Sequence, residues 1–101
     1  MPRSNPYYSK RQLRNLIKAD KLFVTPSARN SARDSFGWSL EDIEKALLAL
    51  PQGSWHKSCP RFGDPSIFVD YYKAIDLLGE NVYTHFYVDD GVLIVDSFKE
   101  I

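Results

Sequence analysis

Residues 81–101 read NVYTHFYVDDGVLIVDSFKEI, and the reading of this stretch decides the fold. Asn81–Val88 is rich in Val, Tyr, Thr and Phe, and Val92–Phe98 in β-branched residues, the types that fill strands. Between them Asp89-Asp90-Gly91 offers a polar tip and a glycine for the positive φ of a tight hairpin turn. Side chains alternate along a strand, so Val82, Thr84, Phe86 and Val88 share one face while Tyr83, His85 and Tyr87 share the other. One face is apolar core. The other carries polar rings, and the strand that follows ends in Ser97-Phe98-Lys99, which adds a cation. Such a face either holds a ligand phosphate or is simply solvated.

Upstream, Ser66–Ala74 (SIFVDYYKA) predicts another strand, and Ser54–Cys59 (SWHKSC) a further one. Gly63-Asp64-Pro65 marks a turn within 60–65, and Ile75–Glu80 is expected to be a connection. Before these the period changes to that of helices. Ser9-Lys10-Arg11-Gln12 has the form of a capping box, with Tyr8 and Leu13 at the staple positions. Leu13, Leu16 and Ile17 then form the apolar stripe of a helix at about 9–20 with a basic outer face. Met1–Tyr8 reads as a loose arm. Leu22–Val24 is a brief strand. Thr25-Pro26 opens a second helix that Phe36-Gly37 ends, and its Ala28 and Ala32 allow a close neighbour. Ser39-Leu40-Glu41-Asp42 opens a third, with Trp38 and Ile43 at the staple positions, stopped by Pro51 and Gly53. Helices first and consecutive strands after predict an α+β domain: N-terminal helices on a mainly antiparallel sheet.

The chain has 101 residues, a length that suits one domain, 1–101, with one core. Hydrophobic residues at 44% are too many for disorder. No apolar run approaches the ~20 residues of a membrane helix, and the polar N-terminus lacks the apolar segment of a signal peptide. A single cysteine, Cys59, leaves no internal disulfide framework and fits a reducing compartment. The expected location is the cytoplasm, with no membrane partner. Net formal charge is zero, but residues 1–33 hold eight Lys and Arg against Asp20 alone, a net of +7. The remaining residues carry the compensating −7. A basic N-terminal block is either a footprint for nucleic acid or a solvated face that pairs with the acidic half.

Several chemistries drop out. His56, His85 and Cys59 lack zinc-ligand spacing, Asp89-Asp90 belongs to a turn, and no phosphate-cradling glycine motif is present. Cys59 has no diagnostic partner except the nearby His56 and Lys57. What remains is a set of Lys, Tyr and His near strand ends: His56, Lys57, Tyr83, His85 and Lys99. RNA can be cut by such groups without a metal. A base takes the 2′-OH proton, a cation steadies the phosphate, and an acid protonates the leaving 5′-oxygen.

At these residues the chain resembles the MqsR-type toxins of bacterial toxin–antitoxin pairs, mRNA interferases with a RelE-like α+β fold. The resemblance runs from about Tyr8 to Glu100. It rests on Thr25–Ala28, the FGWSLEDI run, the WHKS of 55–58, the DPSIFVDYY strand and the terminal SFKE. It implies a catalytic set of Lys57, Tyr83 and Lys99; beside that set, His85, on the same strand face as Tyr83, and Arg61 and His56 are the substrate-binding candidates. It implies an mRNA substrate cut without the ribosome and with preference for short G/C-containing sites, no metal or cofactor, and a cognate antitoxin of the DNA-binding repressor type. Two alternatives stay open: a catalytically weakened module that binds RNA or an antitoxin, and ribosome-dependent cleavage of the RelE kind. The chain departs from the family pattern at four places. His56 stands where Tyr is usual, Val69 where the family has Gln, and Tyr7 where some members have His, and Asp96 is an extra residue that reads as a bulge. The loss of the polar group at Val69 implies slower cleavage or another site preference. If the catalytic set works together, Lys57, Tyr83 and Lys99 converge on one face to within ~10 Å, the span of one phosphate and its flanking sugars.

Overall fold

The computed structural model describes residues 4–101. Three helices, α1 (Lys10–Lys18), α2 (Pro26–Phe36) and α3 (Leu40–Leu48), cover one face of a five-stranded sheet. Its strands are β1 (Leu22–Val24), β2 (Trp55–Arg61), β3 (Asp64–Leu77), β4 (Glu80–Asp89) and β5 (Val92–Glu100), in the order β1-β5-β4-β3-β2. Every neighbouring pair is antiparallel except β1 and β5, which run parallel. This is the α+β arrangement that the two periodicities predict. Among the described residues no helix is long and apolar enough to cross a membrane.

Each helix begins where a cap is available. Ser9, Thr25 and Ser39 accept hydrogen bonds from Gln12, Ala28 and Asp42 backbone N–H groups, which would otherwise lack partners in the first turn. Ser39 and Asp42 close a full capping box. At its far end α2 stops on Gly37, whose φ of 70° is a left-handed value that a side chain resists. The small Ala28 and Ala32, 1% and 0% exposed, let α2 lie directly against β5. There Phe36 and Trp38 meet Phe98 edge-on or tilted, at 6.3 and 5.9 Å between ring centres.

The β4–β5 hairpin is tighter than expected. Asp89 pairs with Val92, so the loop is Asp90-Gly91 alone. Both have positive φ, 51° and 74°, the pattern of a type I′ turn whose twist matches the strands. The strands before it are longer than their alternation suggests. The segment 75–80 is not a free connection: β3 continues to Leu77 and β4 starts at Glu80, across an irregularity between Ala74 and Leu77. Positive φ at Asp76 and Leu78, together with Gly79 at 86°, makes the bend, and the two non-glycine positions leave no trace in the local side-chain pattern. Likewise β2 and β3 run up to Arg61 and back from Asp64, leaving Phe62-Gly63 as the tip.

The expected loose arm at 1–8 is overturned at its inner end, while residues 1–3 lie outside the described part. Tyr8 is only 4% exposed, and its hydroxyl donates to the Phe68 carbonyl at 2.6 Å. The backbone N–H groups of Tyr7 and Tyr8 donate to the two carboxylate oxygens of Asp70, at 3.0 and 2.9 Å. Asp70 is fully buried on the helical side of β3 and also accepts from the Ser58 hydroxyl, which in turn accepts from the Trp55 indole at 3.1 Å. One carboxylate thus ties the N-terminal segment to β2 and β3. We expect Asp70→Asn to replace an acceptor by a donor that faces donors. The cost is roughly 1–3 kcal/mol, read as a lower urea midpoint with an unchanged slope.

Candidate functional site

The helices cover the face that carries Val82, Thr84 and Phe86, all 0% exposed. The opposite face is free of helices, and the register assembles one row upon it. Lys57 pairs with Tyr71, Tyr71 with His85, and His85 with Ser97. One step along, Lys73 pairs with Tyr83 and Tyr83 with Lys99. Side-chain contacts follow the register. The Lys57 ammonium lies 4.8 Å from the Tyr71 ring centre, Tyr71 and His85 rings are 4.9 Å apart, His85 and Tyr83 meet edge-on at 5.7 Å, and Lys99 sits 5.6 Å over Tyr83. Cations over ring faces are attracted by the ring quadrupole. Here that attraction leans both lysines inward.

Lys57, Tyr83 and Lys99 therefore share a face, as expected, but they do not sit side by side. β3 and β4 separate β2 from β5, three spacings of roughly 4.8 Å. The two lysines frame a row, with Tyr71 and His85 filling its middle. Tyr71 and Lys73 were missed by sequence reasoning. The signal for both was available, since alternation in β3 sets Val69, Tyr71 and Lys73 on the face opposite buried Asp70 and Tyr72. A cavity of about 460 Å³ opens over Lys73, Tyr83, His85, Ser97 and Lys99.

Other candidates are placed differently. A register shift between Trp55 and Lys57 makes His56 the extra residue of a bulge. It is exposed and makes no ring contact with the row among the described residues, and the bulge breaks the alternation of side chains along β2. Arg61 stacks its guanidinium 4.5 Å over Tyr87 and lines a second cavity, of about 180 Å³, together with Val69 and His85. Val69 therefore does face the site, with an apolar side chain. Tyr7 stacks on Phe68, a residue of the helical face, and so points away from the row. The basic helix α1 also lies on the helical side, where Leu13 meets Leu47, Leu50 and Tyr72 around one small cavity.

The electrostatics separate the ring residues by role. Burial raises the Tyr83 and Tyr71 phenols above the usual tyrosine range, so both stay protonated donors near neutrality. Burial, assisted by Lys99 and opposed by Asp96, lowers the His85 imidazole below its ordinary value. Its Nδ1 is buried without a hydrogen-bond partner among the described residues. A neutral imidazole at pH 7 is thereby held beside two cations and two phenols. The lowered value has a sign for stability. As pH falls through about 6.5 the unfolded chain takes this proton first, so folding stability declines on acidification and is fully present above that pH. Urea midpoints at about pH 7.5 and about pH 5.5 should therefore differ more for the wild type than for His85→Gln.

Comparison with known proteins bears on this surface. The family model described as "Motility quorum-sensing regulator, toxin of MqsA" matches residues 5–100. A protein of Escherichia coli (strain K12) named mRNA interferase toxin MqsR is 30% identical over 100 residues, covering 99% of each chain.

Proposed function

The chain belongs to the MqsR toxin family, and from that premise we propose that residues 1–101 act as one toxin domain. Its activity is metal-independent, sequence-preferring cleavage of mRNA, and it is neutralised by a cognate antitoxin of the DNA-binding repressor type. The observation that carries this reading is the row on the helix-free face, in which two lysines frame neutral His85 and protonated Tyr83. Among the described residues no three His, Cys, Asp or Glu gather as metal ligands would, whereas the groups present suit acid–base chemistry.

In this mechanism an RNA strand lies across the row with one phosphate between Lys57 and Lys99. The ammonium groups hold its non-bridging oxygens and stabilise the charge that builds as phosphorus becomes five-coordinate. Nδ1 of His85 is buried, which leaves Nε2 to accept the 2′-OH proton. The 2′-oxygen bonds to phosphorus, the bond from phosphorus to the 5′-oxygen breaks, and the leaving oxygen takes a proton from Tyr83. The products are a 2′,3′-cyclic phosphate and a 5′-hydroxyl. The basic face of α1, behind the sheet, suits an acidic segment of the antitoxin better than the phosphates of the strand being cut.

The test is incubation of the purified protein with end-labelled mRNA in EDTA, without ribosomes, followed by end-group analysis. The expected result is cleavage with cyclic-phosphate and 5′-hydroxyl ends. Lys57→Ala and Lys99→Ala should each slow it roughly 10²–10³-fold, and His85→Ala should slow it at least about 10²-fold. Cleavage that needs added ribosomes would favour the RelE-like alternative. RNA binding with no cleavage under any condition would favour a binding module.

A further inference from the structure

Among the described residues, cations from three strands stand around the His85 imidazole. Lys57 reaches it through the Tyr71 ring, Lys73 and Lys99 line the larger cavity with it, and Arg61 lines the smaller one. Tyr71 and Tyr83 contribute protonated phenols, and Tyr87 lies under the Arg61 guanidinium. Two carboxylates face these cations, Glu100 in the larger cavity and Asp96 in the smaller. An imidazole that takes a proton here adds one more positive charge to a small space, and like charges disfavour it. A fixed negative charge beside the ring favours that transfer.

Asp96 is beside His85 because of a break in register. Val95 pairs with Phe86 and Ser97 with His85, so Asp96 is the one extra residue between two paired positions. The bulge gives two consecutive side chains to the helix-free face: Ser97 lines the larger cavity, Asp96 the smaller, and His85 borders both. Thr84, fully buried, donates its hydroxyl to the Ser97 carbonyl at 2.6 Å, so the distortion has a partner that does not involve the Asp96 side chain. No hydrogen bond or ion pair among the described residues engages the Asp96 carboxylate. Glu100 is placed differently, since it pairs with Val82, well along β4 from His85.

Resting on the reading of this chain as a nuclease whose base is His85, we propose that Asp96 is a positioning residue for the reaction: its carboxylate, delivered beside the ring by the bulge, stabilises the imidazolium that forms as His85 takes the 2′-OH proton. The proton passes from the 2′-oxygen to Nε2, the ring goes from neutral to positive, and the carboxylate keeps its charge throughout. Its effect grows as the ring charge develops, so it lowers the transition state more than the ground state. In the resting chain the same charge opposes the burial and the Lys99 ammonium that lower the ring's proton affinity. Removing it leaves a weaker base, and the efficiency of a general base follows its proton affinity. Asp96 acts through His85 and needs no contact with the RNA.

The test is the pH profile of single-turnover cleavage of one RNA at saturating protein. It compares wild type, Asp96→Asn, Asp96→Glu and Glu100→Gln, with Asp96→Asn also placed on His85→Ala. Asp96→Asn should lower the plateau rate roughly three- to tenfold. It should also move the acidic limb to lower pH, because a ring of lower proton affinity stays neutral further into acid. A merely structural loss would lower the plateau and leave the limb where it was. Asp96→Glu keeps the charge and should restore most of the rate, and Glu100→Gln should leave the limb in place. On His85→Ala, Asp96→Asn should have no further effect. An NMR titration of the histidines without RNA, assigned with His85→Ala, should give a lower His85 midpoint in Asp96→Asn than in wild type. Asp96 is exposed, and circular dichroism of each variant checks that the fold is kept. An unmoved acidic limb, or a loss of the same size on His85→Ala, overturns the inference and leaves the nuclease standing. No cleavage by the wild type under any condition, with the NMR midpoint still dependent on Asp96, sinks the nuclease reading instead.

Discussion

The buried carboxylate of Asp70 is the interaction on which the arrangement of the sheet depends. It sits on the covered face of β3, yet it holds β2 through Ser58 and the N-terminal segment through two backbone N–H groups. β2 is an edge strand with a bulge at His56 and a proline at position 60, features that weaken a ladder. The Asp70–Ser58–Trp55 chain fastens that strand from behind the sheet. Lys57 is the residue beside Ser58, on the other face. A buried polar network on the helical side therefore fixes where an exposed lysine stands on the other side. Such networks are costly when incomplete and rigid when satisfied.

With β2 held, the register does the rest. Cross-strand neighbours in an antiparallel sheet are close enough for aromatic and long side chains to touch. Lys57, Tyr71, His85, Tyr83 and Lys99 come together because each lies opposite or diagonal to the next, not because any loop folds over them. The site is a strip of sheet surface, open along its length, which suits a linear substrate. It needs the helices only as a cover for the other face, with Ala28 and Ala32 letting α2 close down on β5.

Much of this was legible in the sequence, for physical reasons that differ by region. The three helices announce themselves through Ser9, Thr25 and Ser39, because capping is a local interaction that leaves a local trace. The hairpin does so through Asp90-Gly91, and alternation in β4 separates Phe86 from His85 correctly. The bend after β3 was only partly visible: Gly79 marks it, but Asp76 and Leu78 adopt positive φ with ordinary side chains. The anchoring of Tyr7 and Tyr8 was hidden because their partner lies more than sixty positions away. Of the site, Lys57, Tyr83 and Lys99 were placed through family resemblance; alternation in β3 already gives the face of Tyr71, but its place as the ring that joins Lys57 to His85 follows from the register of β2, β3 and β4. The cavity holding Val69 and Asp96 likewise requires the bulge to be seen in place.

The central claim is that the two framing lysines act on one phosphate, although β3 and β4 lie between their strands. The direct measurement is a double-mutant cycle on the single-turnover cleavage rate, with wild type, Lys57→Ala, Lys99→Ala and the double variant acting on one RNA. Groups that serve one transition state as a unit lose most of their effect together. The account predicts that the double variant is only slightly slower than the slower single variant. Losses that multiply, so that the double variant shows the product of the two single effects, would contradict it.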